Sequence, residues 1–218
     1  MRKLENGGDR CERCNLRPNI CYCALIGPVA ATTRVTVVMH VSEREKTSNT
    51  ARLLELTLPN CEVLIIGKKG KPFKGVVNSP EETPYILFPE QSALPLTKEL
   101  SSTNKFEGRP IHLIVPDGSW SQTRRIVHRN VFLRGIPRIQ LIGIADTKYL
   151  LRRNGRVGGV CTAEAVAYAL GIIENAAIET TLICHFTTMR DRVLESRFSL
   201  HAGRKESPKD QLDFSSSA

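Results

Sequence analysis

No stretch of this sequence approaches the ~18 consecutive apolar residues that a membrane span requires. Its opening residues, Met1-Arg-Lys-Leu-Glu-Asn, carry no apolar segment of the kind that begins a secretory leader. The expectation is a cytoplasmic chain with no membrane partner. Aromatic residues make up only 6% of the chain, with a single tryptophan, Trp120, so aliphatic side chains must supply most of any core. Acidic residues are in deficit, 22 against 31 Lys plus Arg, and the net charge of +9 points to a polyanionic partner more than to a small anionic metabolite. No segment repeats, which excludes a solenoid. Cysteine is not scarce, but the count of seven is odd and four of them crowd between positions 11 and 23, which argues against a secreted disulfide framework. What remains is 218 residues, 41% hydrophobic, enough for one sizeable α/β domain with a small appendage.

The stretch around which the chain is organised is Leu113-Ile-Val-Pro-Asp117-Gly-Ser-Trp120. Ile111 to Val115 is a short apolar run of the kind buried on both faces of a parallel sheet, and Pro116 ends it. Asp117-Gly118 is a turn signal. Ser119 or Ser121 can cap a helix whose pattern begins at Gln122 and carries Ile126 and Val127. In an open α/β sheet, ligands bind in the crevice at the carboxyl ends of the strands, which is where this reading puts Asp117 and Trp120. A plain Asx-turn beside a core tryptophan is the simpler alternative.

Cys11, Cys14, Cys21 and Cys23 have the spacing C-x2-C-x6-C-x-C, and the residues between them form a polar loop. Four thiolates match the tetrahedral, sulfur-rich site that Zn²⁺ prefers, and a segment with few apolar residues needs such a staple. Free thiols or redox pairs are the alternative. An all-sulfur site leaves no position for a catalytic water, so a structural zinc is expected. Cys61, Cys161 and Cys184 read as small residues in or near the core.

Elsewhere, Arg34–His40 reads as a strand, and Thr47-Ser-Asn49-Thr50 as the cap of a helix reaching about Leu58. Cys61–Gly67 reads as a second buried strand, Tyr85–Pro89 as a short strand closed by proline, and Arg138–Ile144 as another. Gly67-Lys-Lys-Gly-Lys71 resembles a phosphate loop only in composition and reads as a solvated basic turn. Beyond Trp120, Arg124, Arg125, His128 and Arg129 fall at i, i+1, i+4 and i+5, two adjacent rows of a helix. Together with Arg152 and Arg153 on a basic loop they are candidate contacts for RNA phosphates, or only a solvated face. Thr162 opens an alanine-rich helix to about Ala176, and Thr180–Phe198 a last amphipathic helix. The domain division expected is a zinc segment over 1–32, an α/β domain over 33–200 and a disordered tail over 201–218.

Taken in order, the four-cysteine cluster, His40-x2-Glu43, Asn49-Thr50, Phe88-Pro89, Asp117-Gly-Ser-Trp120 and Thr162-x-Glu164-Ala165 resemble the DTW-domain family from about Cys11 to Leu194. The resemblance implies a tRNA-uridine aminocarboxypropyltransferase, which takes the 3-amino-3-carboxypropyl group of S-adenosylmethionine to N3 of a uridine. It further implies kinship with SPOUT methyltransferases, hence a mostly parallel α/β sheet with a trefoil knot in the C-terminal half, a topology that general folding rules would not suggest. The donor would lie among three loops, contributing Leu87, Phe88 and Pro89; Asp117, Gly118, Ser119 and Trp120; and Leu141, Ile142, Thr162 and Glu164, with Asp117 as the catalytic group that removes or orients the N3 proton. Two departures from the family pattern stand out. Ser119 replaces the usual threonine and keeps its hydroxyl, whereas Cys161 replaces a frequent serine and loses it.

Two other readings remain open on the sequence. One is a SPOUT-type RNA methyltransferase using the same donor. The other is a zinc-containing RNA-binding module without chemistry, against which the presence of a carboxylate facing an anionic partner argues. Neither the modified uridine nor the oligomeric state is legible.

Overall fold

A computed structural model of the chain describes residues 10–68, 70–76, 79–102, 109–144 and 160–202. Its centre is a six-stranded sheet in which every pairing is parallel. The strands are β1 (Arg34–His40), β2 (Cys61–Ile66), β3 (Thr83–Leu87), β4 (Leu94–Pro95), β5 (Ile111–Asp117) and β6 (Arg138–Gln140), in the spatial order β2-β1-β5-β3-β6-β4. Five helices pack against it: α1 (Ala51–Thr57), α2 (Lys98–Ser102), α3 (Trp120–Arg129), α4 (Thr162–Ile173) and α5 (Ala176–Ala202).

The layers follow from the side-chain alternation of the strands. Val35, Val37 and Met39 of β1, with Leu113 and Val115 of β5 and Tyr85 and Leu87 of β3, point to one face, where they join Leu53 and Leu54 of α1, Leu170 of α4 and Phe186 and Met189 of α5. The intervening Val38, Ile114 and Ile86 point to the other face and meet Ile126 and Val127 of α3. Both faces of β1 and β5 are therefore covered, which explains their near-continuous apolar runs. β5 lies between β1 and β3, so the stretch read as central in the sequence is central in the sheet.

Several expected boundaries move. Pro116 does not end β5, which pairs with β1 through Asp117. β2 is an edge strand whose residues are all half-buried, not a buried one, because among the described residues only β1 pairs with it. The helix after Trp120 starts at that residue rather than at Gln122: Ser119 is its cap, accepting from the Gln122 amide while the Gln122 side chain accepts from the Ser119 amide at 2.7 Å. The strand near Arg138 stops at Gln140, and the last helix begins at Ala176, four residues earlier than its stripe of Leu182, Phe186, Met189 and Val193 suggests. Cys161 is buried, but Cys184 is exposed on α5. The four-cysteine segment is not coreless: Leu16, Ile20 and Tyr22 are buried within the same core as Phe186. The chain path expected to form a trefoil knot needs the basic loop around Arg152 and Arg153, which lies outside the described residues, as do positions 203–218 of the expected tail. Among the described residues, no helix is long and apolar enough to cross a membrane.

Candidate active site and metal centre

The four cysteine sulfurs all lie within 4.8 Å of one another, with Cys14 to Cys21 at 3.6 Å and Cys11 to Cys23 at 3.8 Å. Sulfurs at tetrahedral corners, each about 2.3 Å from a zinc ion, stand about 3.8 Å apart, a spacing the Cys14–Cys21 and Cys11–Cys23 pairs match closely. Local geometry builds it. Asn15 takes a left-handed conformation (φ 63°), and its amide donates to the Cys11 carbonyl at 2.8 Å, closing a tight turn that brings Cys11 and Cys14 together. Burial raises the Cys11 thiol, but the backbone amides of Cys14 and Arg13 outweigh it and bring the group down to about 7. Burial holds Cys14 and Cys23 above the usual thiol range. Four cysteines bind Zn²⁺ as thiolates, so metal binding at this cluster releases protons.

At the carboxyl ends of β3, β5 and β6 the chain encloses a cavity. Among its walls are Leu87, Phe88 and Pro89 after β3, Gly118 and Trp120 after β5, Leu141 after β6 and Thr162 at the start of α4. Each of the three expected loops therefore contributes. Ring contact fixes one wall, with the Phe88 and Trp120 centroids 6.1 Å apart. A Cβ on Gly118 would stand 3.0 Å from the Gln122 side chain, so any larger residue here presses on the group that caps α3.

Not every expected residue faces the cavity. Ile142 is 64% exposed and does not line it, and the Ser119 hydroxyl is committed to capping α3. Glu164 is fully buried and folds back on its own helix, accepting from the Cys161 amide at 2.9 Å. Asp117 is 5% exposed beneath the cavity, with both carboxylate oxygens engaged: Thr162 Oγ1 donates to one at 2.5 Å and Asn49 Nδ2 to the other at 3.1 Å. It ties the end of β5 to the start of α4 and to the loop before α1. Cys161 and Ala165 also line the cavity, and burial pushes the Cys161 thiol up, so it stays neutral.

Asn49 and Thr50, which the sequence presents as helix caps and as part of the family's ordered motifs, support the cavity from behind. Asn49 is a cap, since its Oδ1 accepts from the Arg52 amide at 3.0 Å, but its amide nitrogen also holds Asp117, and Thr50 Oγ1 accepts from the Ala163 amide at 3.3 Å. Their burial, at 6% and 5% exposure, separates them from an ordinary surface cap. His40 serves the opposite side of the turn, where its Nδ1 accepts from Gln122 Nε2 at 3.0 Å. The basic residues of α3 split. Arg124 and His128 face a groove shared with Phe88, Pro89 and Trp120, whereas Arg125 and Arg129 face another with His40, Phe73 and Phe132.

Comparison with known proteins places this architecture among relatives. A tRNA-uridine aminocarboxypropyltransferase 2 from Drosophila melanogaster is 24% identical over 78% of this chain and 68% of its own length. The enzyme of the same name from Macaca fascicularis is 28% identical over 79% of this chain and 59% of its own length, so the chain spans well under two thirds of that relative. Among solved structures, the SAM-dependent rRNA:acp-transferase of Vulcanisaeta distributa aligns with a TM-score of 0.46 at 21% identity, covering 79% of this chain and 85% of that one. The DTW domain matches residues 8–194, and the chain belongs to the DTW-domain family.

Proposed function

We propose that this chain transfers the 3-amino-3-carboxypropyl group of S-adenosylmethionine to N3 of a uridine in tRNA, with one structural Zn²⁺ in its amino-terminal segment. The observation that carries this reading is the cavity at the carboxyl ends of β3, β5 and β6, lined by the loops that contain the family's Phe88-Pro89, Asp117–Trp120 and Thr162–Ala165 motifs. Its mainly apolar walls suit the adenosine and S-methyl parts of the donor. Bound there, the donor supplies an electrophilic carbon and a neutral leaving thioether. What the chain supplies is position. Asp117 acts from beneath, holding Thr162 and the first turn of α4 against the end of β5. Leu87, Phe88, Pro89, Gly118, Trp120 and Leu141 shape the space above it.

The product released from S-adenosylmethionine and tRNA tests the reading. Methylthioadenosine is expected. S-adenosylhomocysteine would instead make the chain a methyltransferase, and release of neither would leave only an RNA-binding role.

RNA binding is assigned to the exposed Arg124, Arg125 and Arg129, and to Arg152 and Arg153 on the basic loop. The net charge of +9 motivates it. Because Arg124 and Arg125 stand on adjacent rows of α3 and line two different grooves, a bound strand would cross the helix between them. Replacing both by alanine should weaken tRNA binding and flatten the dependence of log K on log salt by about 0.7 to 0.9 for each phosphate no longer neutralised. Titrations in which both the affinity and the salt slope stay at wild-type values would reduce the ridge to a solvated face.

A further inference from the structure

The groove on the Arg124 side of α3 is contiguous with the donor cavity: Phe88, Pro89 and Trp120 line both. Its remaining walls are polar, with Glu90, Gln91 and Ser92 on one side and Arg124 and His128 on the other. A space that begins at the wall of an apolar donor pocket and turns polar, with an indole between the two, has the makings of a nucleobase site. An aromatic face takes the base by stacking, and polar groups take its edge.

Within the groove, one pair of groups can handle a proton. His128 Nε2 lies 3.4 Å from Glu90 Oε2, and the His128 ring stands edge-on to Phe88 at 6.1 Å and 82°. Glu90 is itself fixed, since Arg138 Nε lies 3.0 Å from its Oε1 and Ser92 Oγ donates to it at 2.8 Å. The imidazole thus sits between a carboxylate near one nitrogen and a ring packed against it; a neutral ring that turns an Nε2–H toward Glu90 has Nδ1 as its acceptor. Asp117, by contrast, already holds Thr162 and Asn49 with one hydrogen bond at each oxygen, below the cavity.

We infer that this groove receives the target uracil, stacked against Trp120, and that His128, oriented by Glu90, takes the N3 proton as N3 attacks. The inference rests on the transferase reading above. In the step, the N3–H bond breaks and its proton passes to His128 Nδ1. The electron pair left on N3 forms the bond to the carbon attached to sulfur. The carbon–sulfur pair stays with sulfur, turning the sulfonium into a neutral thioether. The imidazolium formed faces Glu90, and turnover returns its proton to solvent. The charged groups around His128 are Glu90 from the loop after β3, Arg138 from β6 behind it, and Arg124 one turn earlier on α3.

The test is His128→Gln in the full chain, assayed by single-turnover transfer to tRNA across pH, with binding of labelled S-adenosylmethionine measured in parallel. His128 is 46% exposed at its side chain, so the variant should fold. The expected result is a rate lower by roughly 10²- to 10⁴-fold, donor affinity unchanged, and loss of the acid limb of the pH–rate profile. His128→Gly should regain part of its rate on addition of imidazole. A His128→Gln rate within about threefold of wild type overturns the inference, as does a slow variant that keeps the acid limb. A wild-type protein that releases no methylthioadenosine overturns the transferase reading together with this one, so the two failures are distinguishable.

Discussion

Asp117→Asn should leave a folded protein whose single-turnover transfer is slower by roughly 10²-fold, with the acid limb of its pH–rate profile intact. The carboxylate sits under the donor cavity, 5% exposed, and receives Thr162 Oγ1 and Asn49 Nδ2. An asparagine keeps one carbonyl oxygen for Asn49 and turns its amide toward the Thr162 oxygen, which can accept. Both hydrogen bonds survive, but weaker and shifted, since a charge-assisted bond at 2.5 Å becomes a neutral one. Displacing the first turn of α4 by a fraction of an ångström moves Cys161, Thr162 and Ala165, all of which line the cavity. Asp117→Ala is harsher. It strands the buried Asn49 donor at about 1–3 kcal/mol and frees the half-buried Thr162 hydroxyl, and should lower both stability and donor affinity. If Asp117 were the base instead, the asparagine variant would lose the acid limb that His128→Gln is expected to lose. A variant that reacts at the wild-type rate would remove Asp117 from the mechanism altogether.

Cys14→Ser is expected to abolish zinc binding and to lower the melting temperature of the whole chain, not only of its first residues. Cys14 is 2% exposed, and its neighbours Leu16 and Tyr22 belong to the same buried cluster as Phe186 of α5. Structural zinc contributes about 10–16 kcal/mol in isolated finger peptides. Forfeiting even about 4 kcal/mol of that shifts the melting temperature of a domain of this size by roughly 8–16 °C. Chelation should act in the same direction, more readily in acid, where protons compete for the thiolates. One zinc per chain in protein purified without chelator is the accompanying expectation. Metal analysis that finds none, or a melting temperature indifferent to both the chelator and the substitution, would sink the assignment.

Some of this was legible in the sequence because local chemistry and global position agree. The run into Asp117-Gly-Ser-Trp120 announces strand, turn and capped helix from neighbouring residues alone, and the structure places it mid-sheet. The cysteine spacing likewise carries its own geometry. Other parts depend on partners distant in the chain. Cys61–Ile66 has the composition of a buried strand, and only the absence of a second neighbour among the described residues makes it an edge. Asn49 looks like any helix cap until β5 sets Asp117 against its amide. Glu164 carries a family motif that suggested donor binding, yet its carboxylate is spent on the backbone of Cys161. The pairing of Glu90 with His128 has no sequence signal, since one follows β3 and the other ends α3.

The all-parallel sheet also dictates how the chain must reach its fold. No two neighbouring strands can be joined by a hairpin, so each pairing waits for a crossover, and the central one joins segments far apart: Thr36 of β1 meets His112 of β5 across 76 residues. Loop closure must be completed before such pairings return any stabilisation, which places the chain among slow folders for its size. During synthesis, β1 and β2 can pair early, but the β1 edge that β5 will cover stays open until Ile111–Asp117 has emerged. Through that interval the apolar Val35–Met39 run is an unpaired strand edge, the segment of this protein most exposed to misassociation with other chains.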